Sequence, residues 1–331
     1  MNSLKKVNIL LIFPQGLGDF FFSIKYFISK LKYYKPDVIK NIYLIGQHNE
    51  QSELINYYLK DEKIKIYFSY SKVLNFTNIL STLKILIKKF DFCIIEPNIN
   101  YKKAIILSFL IRAKIKIYKK FKYASFFFDK LIEYDRSRVD DYFLRISEKI
   151  FEIHHINSND SKYNLPNTKK YKIGIAPGSG YEENHKRWKI NNWINLINIL
   201  NQKKNIEFYI YGKEKKIISE IFNNILSINN RIAIYKIEEE KFIDTFNNLR
   251  DMNYFISNDN GLACIATLLD IKTYIILGPT YPKPLKKFKN CIFIQSNFIC
   301  GPCSEWLRYG CGNTLCLEEI SPNKVAEKIF F

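Results

Sequence analysis

The chain has 331 residues, 47% of them hydrophobic, so it can bury two cores of ordinary domain size, and its composition excludes a disordered or repetitive protein. Its formal net charge of +19 at pH 7 predicts an anionic partner, because a field of that sign attracts anions. The lysines are spread along the chain without a homeodomain, zinc-finger or RNA-recognition motif, so we expect an acidic glycolipid or an anionic membrane face and no nucleic acid.

The first half of the chain alternates short apolar segments with helical ones. Residues 7–13 form an apolar run of strand length that Pro14 interrupts, which is typical of a buried strand and argues against a signal peptide. The run 104–111 is far too short to cross a bilayer, so we expect a cytoplasmic protein, with peripheral contact to the inner membrane. Further strands are predicted at 41–46, 63–68 and 92–96, and helices at 20–32, 76–89 and 101–111.

The second half repeats this alternation after a polar segment, residues 156–170, which is the best linker candidate. Strands are predicted at 171–176, 206–211 and 232–235, and helices at 191–202, 214–226 and 239–248. Strands that alternate with helices imply right-handed βαβ units and parallel sheets. We therefore predict an α/β fold of two Rossmann-like, doubly wound domains facing across a cleft. The predicted domains span residues 1–160 and 171–331, with the last helix packing back on the N-terminal domain.

Two loops in the second half indicate a phosphate-binding site. One predicted strand ends on the Asn-Asp-Asn-Gly sequence at 258–261 and leads into an apolar helix. Another ends on Pro-Gly-Ser-Gly at 177–180 and leads to Lys186. The first N–H groups of a helix lack partners, and the helix dipole adds about half a positive charge there. Two such loops in one half predict that a diphosphate binds between them.

Four segments of the sequence, at 18–19, 177–188, 258–262 and 278–282, resemble in this order the motifs of glycosyltransferase family 9. This is the GT-B group that includes the ADP-heptose:lipopolysaccharide heptosyltransferases. Gly18-Asp19 resembles the Leu-Gly-Asp turn of that family, and Lys186-Arg187-Trp188 resembles its Lys-x-Trp signature. Residues 258–262 and 278–282 resemble its Asp-Ser/Thr-Gly and Gly-Pro-Thr-x-Pro signature. The chain departs from the family at Asn260, where Ser or Thr is usual, and at Cys264, where His is usual. The second departure leaves the transferred sugar open.

The resemblance implies an inverting glycosyltransferase that moves a heptose from ADP-heptose onto a lipopolysaccharide core or a related surface glycan. In this scheme Asp19 is the general base, and Lys186 neutralises the leaving diphosphate, so that no metal or other cofactor is required for catalysis. Asp19 is equally suited to cap the helix that follows it, and Lys186 to form a solvated basic pair with Arg187. Alternatives are a related enzyme with another nucleotide sugar or a protein acceptor, and a non-catalytic binding protein.

The resemblance and the loop chemistry together imply a set of donor-binding residues. Glu214, just after a predicted strand, can accept hydrogen bonds from ribose hydroxyls. Its position also fits the alternative of an ordinary acidic residue in the first turn of a helix. Asp259 is expected to orient its turn. The donor-binding candidates are Gly178, Ser179, Gly180, Glu214, Asp259, Asn260, Gly261 and Thr280.

Four of the seven cysteines lie close together near the C-terminal end of the sequence, at Cys300, Cys303, Cys311 and Cys316. A Cys-x-x-Cys pair with two further thiols can hold structural zinc or iron. Reduced structural thiols are the alternative, and disulfides are less consistent with a cytoplasmic protein. Cys93 and Cys291 are expected to be buried in or beside strands.

Overall fold

The computed structural model describes residues 6–14, 20–21, 27, 39–46, 49–58, 65–70, 76–134, 142–143, 145–146, 170–179, 183–203, 205–238, 241–280, 285, 288–297, 303 and 314–329. The chain divides into two compact units, Met1–Asn157 and Ser158–Phe331. Within the described residues, no helix combines the length and the hydropathy needed to cross a membrane.

The first unit is built on a six-stranded parallel sheet. Its strands are β1 (Val7–Phe13), β2 (Ile39–Gly46), β3 (Lys65–Tyr70), β4 (Lys89–Ile95), β5 (Arg112–Lys119) and β6 (Lys130–Ile132). Its helices include α1 (Glu50–Tyr58), α2 (Phe76–Leu86) and α3 (Tyr101–Leu110). The strands lie in the order β3-β2-β1-β4-β5-β6, the order of a doubly wound nucleotide-binding sheet.

The second unit repeats this topology. Its strands are β7 (Tyr171–Ala176), β8 (Ile206–Ile210), β9 (Ala233–Lys236), β10 (Tyr254–Asn258), β11 (Lys272–Leu277) and β12 (Cys291–Gln295). Its helices are α4 (Ile190–Lys203), α5 (Lys215–Ile228), α6 (Phe242–Arg250), α7 (Gly261–Leu268), α8 (Leu315–Glu318) and α9 (Pro322–Ile329), as far as this unit is described. The sheet order is β12-β11-β10-β7-β8-β9. Two parallel six-stranded sheets with helices confirm the predicted α/β fold class.

Two strands of the first unit escaped the sequence analysis. β5 alternates lysines with apolar residues, and only its last part is buried, so it lacks the continuous apolar run that marks β1. β6 has only three residues. Both occupy one side of the sheet, beyond β4, where a strand is less completely covered than at the centre. The predicted helix at 20–32 lies largely outside the described residues.

The last helix, α9, contributes to the core of the second unit. Val325, Ala326 and Ile329 belong to that core, where α9 lies against α4, and its predicted contact with the N-terminal domain stays a prediction. The hydroxyl of Tyr274 in β11 also donates to the carbonyl oxygen of Ile329 at 2.8 Å. The apolar face of α9 is thus used inside its own unit.

Close packing at the centre of the second sheet makes Gly174 of β7 a sensitive position. A Cβ atom there would lie 2.5 Å from Cδ2 of Phe255, which is fully buried on the neighbouring strand β10. We expect Gly174→Ala to lower the free energy of unfolding by about 1–3 kcal/mol, as overpacked cores do, measured by urea denaturation with circular dichroism. The double variant Gly174→Ala/Phe255→Leu lacks the ring, so its loss of unfolding free energy should be smaller than the sum of the losses in the two single variants. Additive losses would contradict this packing.

Candidate functional site

The carboxyl ends of β7 and β10 form the switch point of the second sheet. The two strands are neighbours, paired through Ile256 with Ile175 and Ser257 with Ala176, yet their connections leave toward opposite sides. In open α/β sheets, ligands bind in the crevice at such a point. Both predicted loops, after Ala176 and after Asn258, begin here.

Two asparagine side chains join these loops. Asn258, the last residue of β10, is fully buried; its amide donates to the carbonyl oxygen of Pro177 at 2.6 Å, and its Oδ1 accepts from the backbone N–H of Trp188 at 3.2 Å. The amide of Asn260 donates to the carbonyl oxygen of Gly178 at 2.9 Å. The two side chains therefore hold the loop after β7 against the loop after β10.

Asn260 also caps the helix that follows. Its Oδ1 accepts from the backbone N–H of Ala263 at 3.1 Å, and α7 begins at the next residue, Gly261. The cap fixes where the helix starts, and hence where its first N–H groups and the positive end of its dipole lie. Asn therefore does here what a Ser or Thr cap would do, with an additional bond across the site.

Lys186 lies among acidic groups from two segments. Its Nζ is 2.9 Å from Oε1 of Glu183 and 3.5 Å from Oδ2 of Asp259, and the Lys186 side chain is only 12% exposed. The hydroxyl of Thr280, after β11, donates to the same Asp259 oxygen at 2.6 Å. Asp259 thus links Lys186 and Thr280 beside the N-terminus of α7, which supports the orienting role expected for it.

Trp188 fixes the position of the Lys186 segment. The indole is buried and packs edge-on against Trp193 with ring centroids 5.2 Å apart. Its Nε1 donates to the carbonyl oxygen of Ile320 at 2.9 Å, and its backbone N–H reaches Asn258 as described above. The Lys-x-Trp spacing therefore anchors one residue in the core while the lysine, two positions earlier, remains near the switch point.

Glu214 turns back toward the loop after β7. Its Oε1 accepts from the backbone N–H of Ser179 at 3.1 Å and from Nη2 of Arg187 at 3.3 Å, and Nε of Arg187 donates to Oγ of Ser179 at 2.9 Å. Glu214 precedes α5 but makes no side-chain capping bond, so it does not act as an ordinary helix cap. Gly212, with φ of +150°, provides the turn that returns the chain.

Gly178 allows the close approach of this carboxylate. A Cβ atom at Gly178 would lie 2.3 Å from Oε2 of Glu214, much closer than any real contact. The glycine is therefore required by the position of Glu214. The sequence analysis named Gly178 as a donor-binding candidate but did not predict its contact with Glu214.

The sequence analysis missed two contributors. Arg187 was considered only as part of the Lys-x-Trp motif and of a solvated basic pair with Lys186, yet its side chain bonds to Glu214 and Ser179. Asn258 was part of the quoted motif but received no role. A polar residue at the end of a buried strand, next to a glycine loop, was the available signal for Asn258; nothing in the sequence indicated the partners of Arg187.

The first unit has a switch point of its own, between β1 and β4. Glu96 follows β4, is buried, and its backbone N–H donates to the carbonyl oxygen of Ile12 at 3.0 Å. The hydroxyl of Tyr142 donates to the carbonyl oxygen of Ile95 at 3.0 Å. Burial, reinforced by the Glu96 carboxylate, raises the pKa of Tyr142 well above its ordinary value, so this phenol stays protonated at neutral pH.

Asp19, Gly180, Cys300 and Cys311 lie outside the described residues. Cys316 is buried in the core of the second unit and Cys303 is half-buried. The described residues contain no group of three or more His, Cys, Asp or Glu that could hold a metal, but with two of the four cysteines missing from that set the metal site stays a prediction.

The two cysteines predicted to be buried in or beside strands both lie in strands, but only Cys93 is buried and Cys291 is half-buried. Cys93 is buried in β4, and burial raises the pKa of its thiol to about 12. Cys291 begins β12, and burial raises its pKa to about 11. Both thiols are therefore protonated and poorly nucleophilic at neutral pH.

Comparison with curated proteins finds lipooligosaccharide heptosyltransferase 2 of Campylobacter jejuni serotype O:6, 29% identical over 171 residues. The match covers 50% of this chain and 52% of that protein, so the chain spans about half the length of the curated relative it matches.

Two solved structures share the fold over nearly the whole chain. Escherichia coli heptosyltransferase WaaC with ADP-2-deoxy-2-fluoro heptose has a TM-score of 0.72 at 13% identity and covers 97% of this chain and 98% of that one. The dodecameric, iron-containing heptosyltransferase TibC with ADP-D-beta-D-heptose has a TM-score of 0.51 at 14% identity and covers 99% and 76%. The likeness supports the GT-B fold class.

The family profile for glycosyltransferase family 9 (heptosyltransferase) matches residues 84–308, about two thirds of the chain. That stretch contains the loop after β7, Lys186, Glu214 and the start of α7, so the match covers the residues that meet at the switch point of the second unit. The chain belongs to glycosyltransferase family 9.

Proposed function

We propose that this protein is an inverting glycosyltransferase that moves a heptose from ADP-heptose onto a lipopolysaccharide core or a related surface glycan. The observation that carries the proposal is the meeting of Lys186, the N-terminus of α7 and Glu214 at one switch point. In this scheme the second domain, predicted at 171–331, binds the nucleotide sugar, and the first, predicted at 1–160, binds the acceptor.

The second unit offers matching groups to the diphosphate and to the ribose of a nucleotide. The diphosphate lies at the start of α7, where Gly261 and the residues after it present backbone N–H groups. Lys186 supplies a positive charge, and Thr280 can turn its hydroxyl from Asp259 to a phosphate oxygen. Glu214, held by Ser179 and Arg187, accepts from the ribose hydroxyls.

The transfer is a single displacement at the anomeric carbon. The acceptor oxygen forms a bond to that carbon while the bond from the carbon to the phosphate oxygen breaks, and its electron pair leaves with the diphosphate. Asp19 takes the proton of the acceptor hydroxyl. Lys186 and the dipole of α7 stabilise the charge on the leaving group, so the reaction requires no metal.

The comparisons support the choice of donor. WaaC was solved with a fluorinated ADP-heptose and TibC with ADP-D-beta-D-heptose, and the Campylobacter jejuni relative is named for lipooligosaccharide. An acceptor of this kind is an acidic glycolipid, which suits a chain of net charge +19. We further propose that the protein acts in the cytoplasm, in peripheral contact with the inner membrane.

A different nucleotide sugar is the second candidate. Cys264 lies half-buried in the first turn of α7, where the family usually has His. A thiol is smaller than an imidazole and is a weaker hydrogen-bond donor, so it would recognise sugar hydroxyls differently. This observation concerns the sugar and leaves the transfer chemistry unchanged.

Asp19→Ala tests the proposed chemistry directly. The purified protein is incubated with ADP-heptose, or with ADP-, UDP- and GDP-hexoses, and a truncated lipid A–Kdo acceptor, and the product is followed by mass spectrometry. We expect one added heptose, and a loss of turnover of roughly a hundredfold or more in Asp19→Ala, since the base is removed. Glu220→Ala, an exposed acid on α5, is the matched control. Full turnover by Asp19→Ala would refute the assignment of the base, and a hexose product would favour the second candidate.

Gly178→Ala tests the nucleotide site without removing a polar group. The added methyl occupies the space of the Glu214 carboxylate, so Glu214 must move away from Ser179. We expect the affinity for ADP, measured by calorimetry, to fall by about tenfold or more, as it should in Glu214→Gln, because charge-assisted hydrogen bonds are lost. The double variant Gly178→Ala/Glu214→Gln should lose little more ADP affinity than either single variant. Unchanged ADP affinity in Gly178→Ala would exclude Glu214 from the nucleotide site.

We propose a structural zinc or iron ion at Cys300, Cys303, Cys311 and Cys316. The sequence spacing supports it, as do the burial of Cys316, the partial burial of Cys303, and the iron described for TibC. About one metal ion per chain is expected by elemental analysis of the purified protein, lost in Cys300→Ser/Cys303→Ser and retained in Cys93→Ser. Equal metal content in all three proteins would exclude the cluster as the ligand set.

A further inference from the structure

Helix α3 of the first unit exposes three of its large apolar residues to solvent. Ala104 and Ser108 are buried, whereas Ile106, Phe109 and Leu110 are exposed, Phe109 to 75%. With about 3.6 residues per turn, these three exposed side chains lie on one face within roughly 100° of arc. The opposite face of α3, with Ala104, Ile105 and Leu107, packs on the core, so the helix has a second apolar face that a water-facing helix would not require.

A neighbouring turn extends this apolar face. Tyr123 precedes the short helical turn at 124–126 and Phe126 is its last residue; both are exposed, Phe126 to 80%. The rings of Phe109 and Phe127 meet edge-on with centroids 5.8 Å apart, which brings the turn beside the end of α3. We call the five exposed side chains the α3 patch: Ile106, Phe109, Leu110, Tyr123 and Phe126.

The α3 patch is surrounded by positive charge. Residues 100–134 contain nine Lys and Arg but only two acids, Asp129 and Glu133. Lys102 and Lys103 are exposed in the first turn of α3, and Nζ of Lys122 lies 5.0 Å from the ring centroid of Tyr123. One of the two acids, Glu133, is already paired with Lys120 at 2.9 Å. The stretch of chain that carries the α3 patch therefore has a strong net positive charge, although Lys114 within it is paired with Asp91.

We propose that the α3 patch and its lysines dock the protein on an anionic lipid bilayer. Exposed aromatic and aliphatic side chains insert at the depth of the headgroups, and lysines beside them pair with anionic lipids. A second copy of the same patch is a poor occupant, because it would bring two positive surfaces together. The inference deepens the proposed function, since a glycolipid acceptor lies in such a surface.

Vesicle sedimentation tests the docking directly. The purified protein is mixed with vesicles of phosphatidylcholine alone, or with phosphatidylglycerol as roughly a third of the lipid, at low and high salt. We expect binding to the anionic vesicles at about 0.1 M NaCl and its loss near 0.5 M, because salt screens the lysines. Phe109→Ser/Phe126→Ser should lower the partition coefficient at least about tenfold, since two large apolar side chains no longer insert. Lys102→Glu/Lys103→Glu should lower it by a similar factor.

Two matched variants of the second unit serve as controls. Ile228→Ser removes another exposed apolar side chain, and Lys215→Glu/Lys216→Glu makes the same charge reversal on α5. Both should bind vesicles like the wild type, and thermal unfolding should show that every variant is folded. Three results would overturn the proposal: no binding by the wild type, equal binding to neutral vesicles, or equal loss in the controls. Concentration-dependent dimerisation that the Phe variants abolish, without vesicle binding, would assign the patch to a second copy.

The outcome is independent of the transfer reaction, because vesicle binding requires no donor. Heptose transfer without vesicle binding would refute only the proposal that the α3 patch docks on a bilayer. A protein that binds vesicles through the α3 patch but transfers no sugar would refute only the proposed reaction.

Discussion

The candidate site of the second unit depends on two asparagine side chains at the end of β10. Asn258 is buried with both ends of its amide bonded, to the loop after β7 and to Trp188. A buried polar group left unsatisfied costs about 1–3 kcal/mol, so each bond constrains the loop that it holds. Asn260 adds the cap of α7 and a second bond to the loop after β7. Together they set the distance between the two loops.

The bonds of the two asparagines also fix the positions of the charged groups in the site. Trp188 is held by Asn258, and this fixes Lys186 two residues earlier, beside Asp259. Gly178 is held by Asn260, and the Glu214 carboxylate occupies the space that its missing Cβ leaves. A positive helix end, a cation and a carboxylate are thus arranged before any ligand arrives. Such preorganisation stabilises developing charge without reorganisation during the reaction.

The sequence predicted the centre of each sheet and the residue types of the site. β7 appears at the predicted residues because its last four residues form an uncharged, buried run that ends at Pro177. β5 and β6 were missed, because alternating lysines and a three-residue strand carry no such signal. The contact of Arg187 with Ser179 and Glu214 joins three segments far apart in sequence, so only the folded chain reveals it. The packing of α9 depends likewise on which core its apolar face reaches.

The most direct test of this account is the affinity of Asn260→Ser for ADP, measured by calorimetry. Serine keeps the cap of α7 but removes the amide that bonds to the carbonyl oxygen of Gly178. The account predicts a loss of affinity of about tenfold, the scale of a lost hydrogen bond between fixed loops, with the midpoint of thermal unfolding nearly unchanged. Wild-type affinity in Asn260→Ser would contradict the claim that the two loops must be joined for the nucleotide to bind.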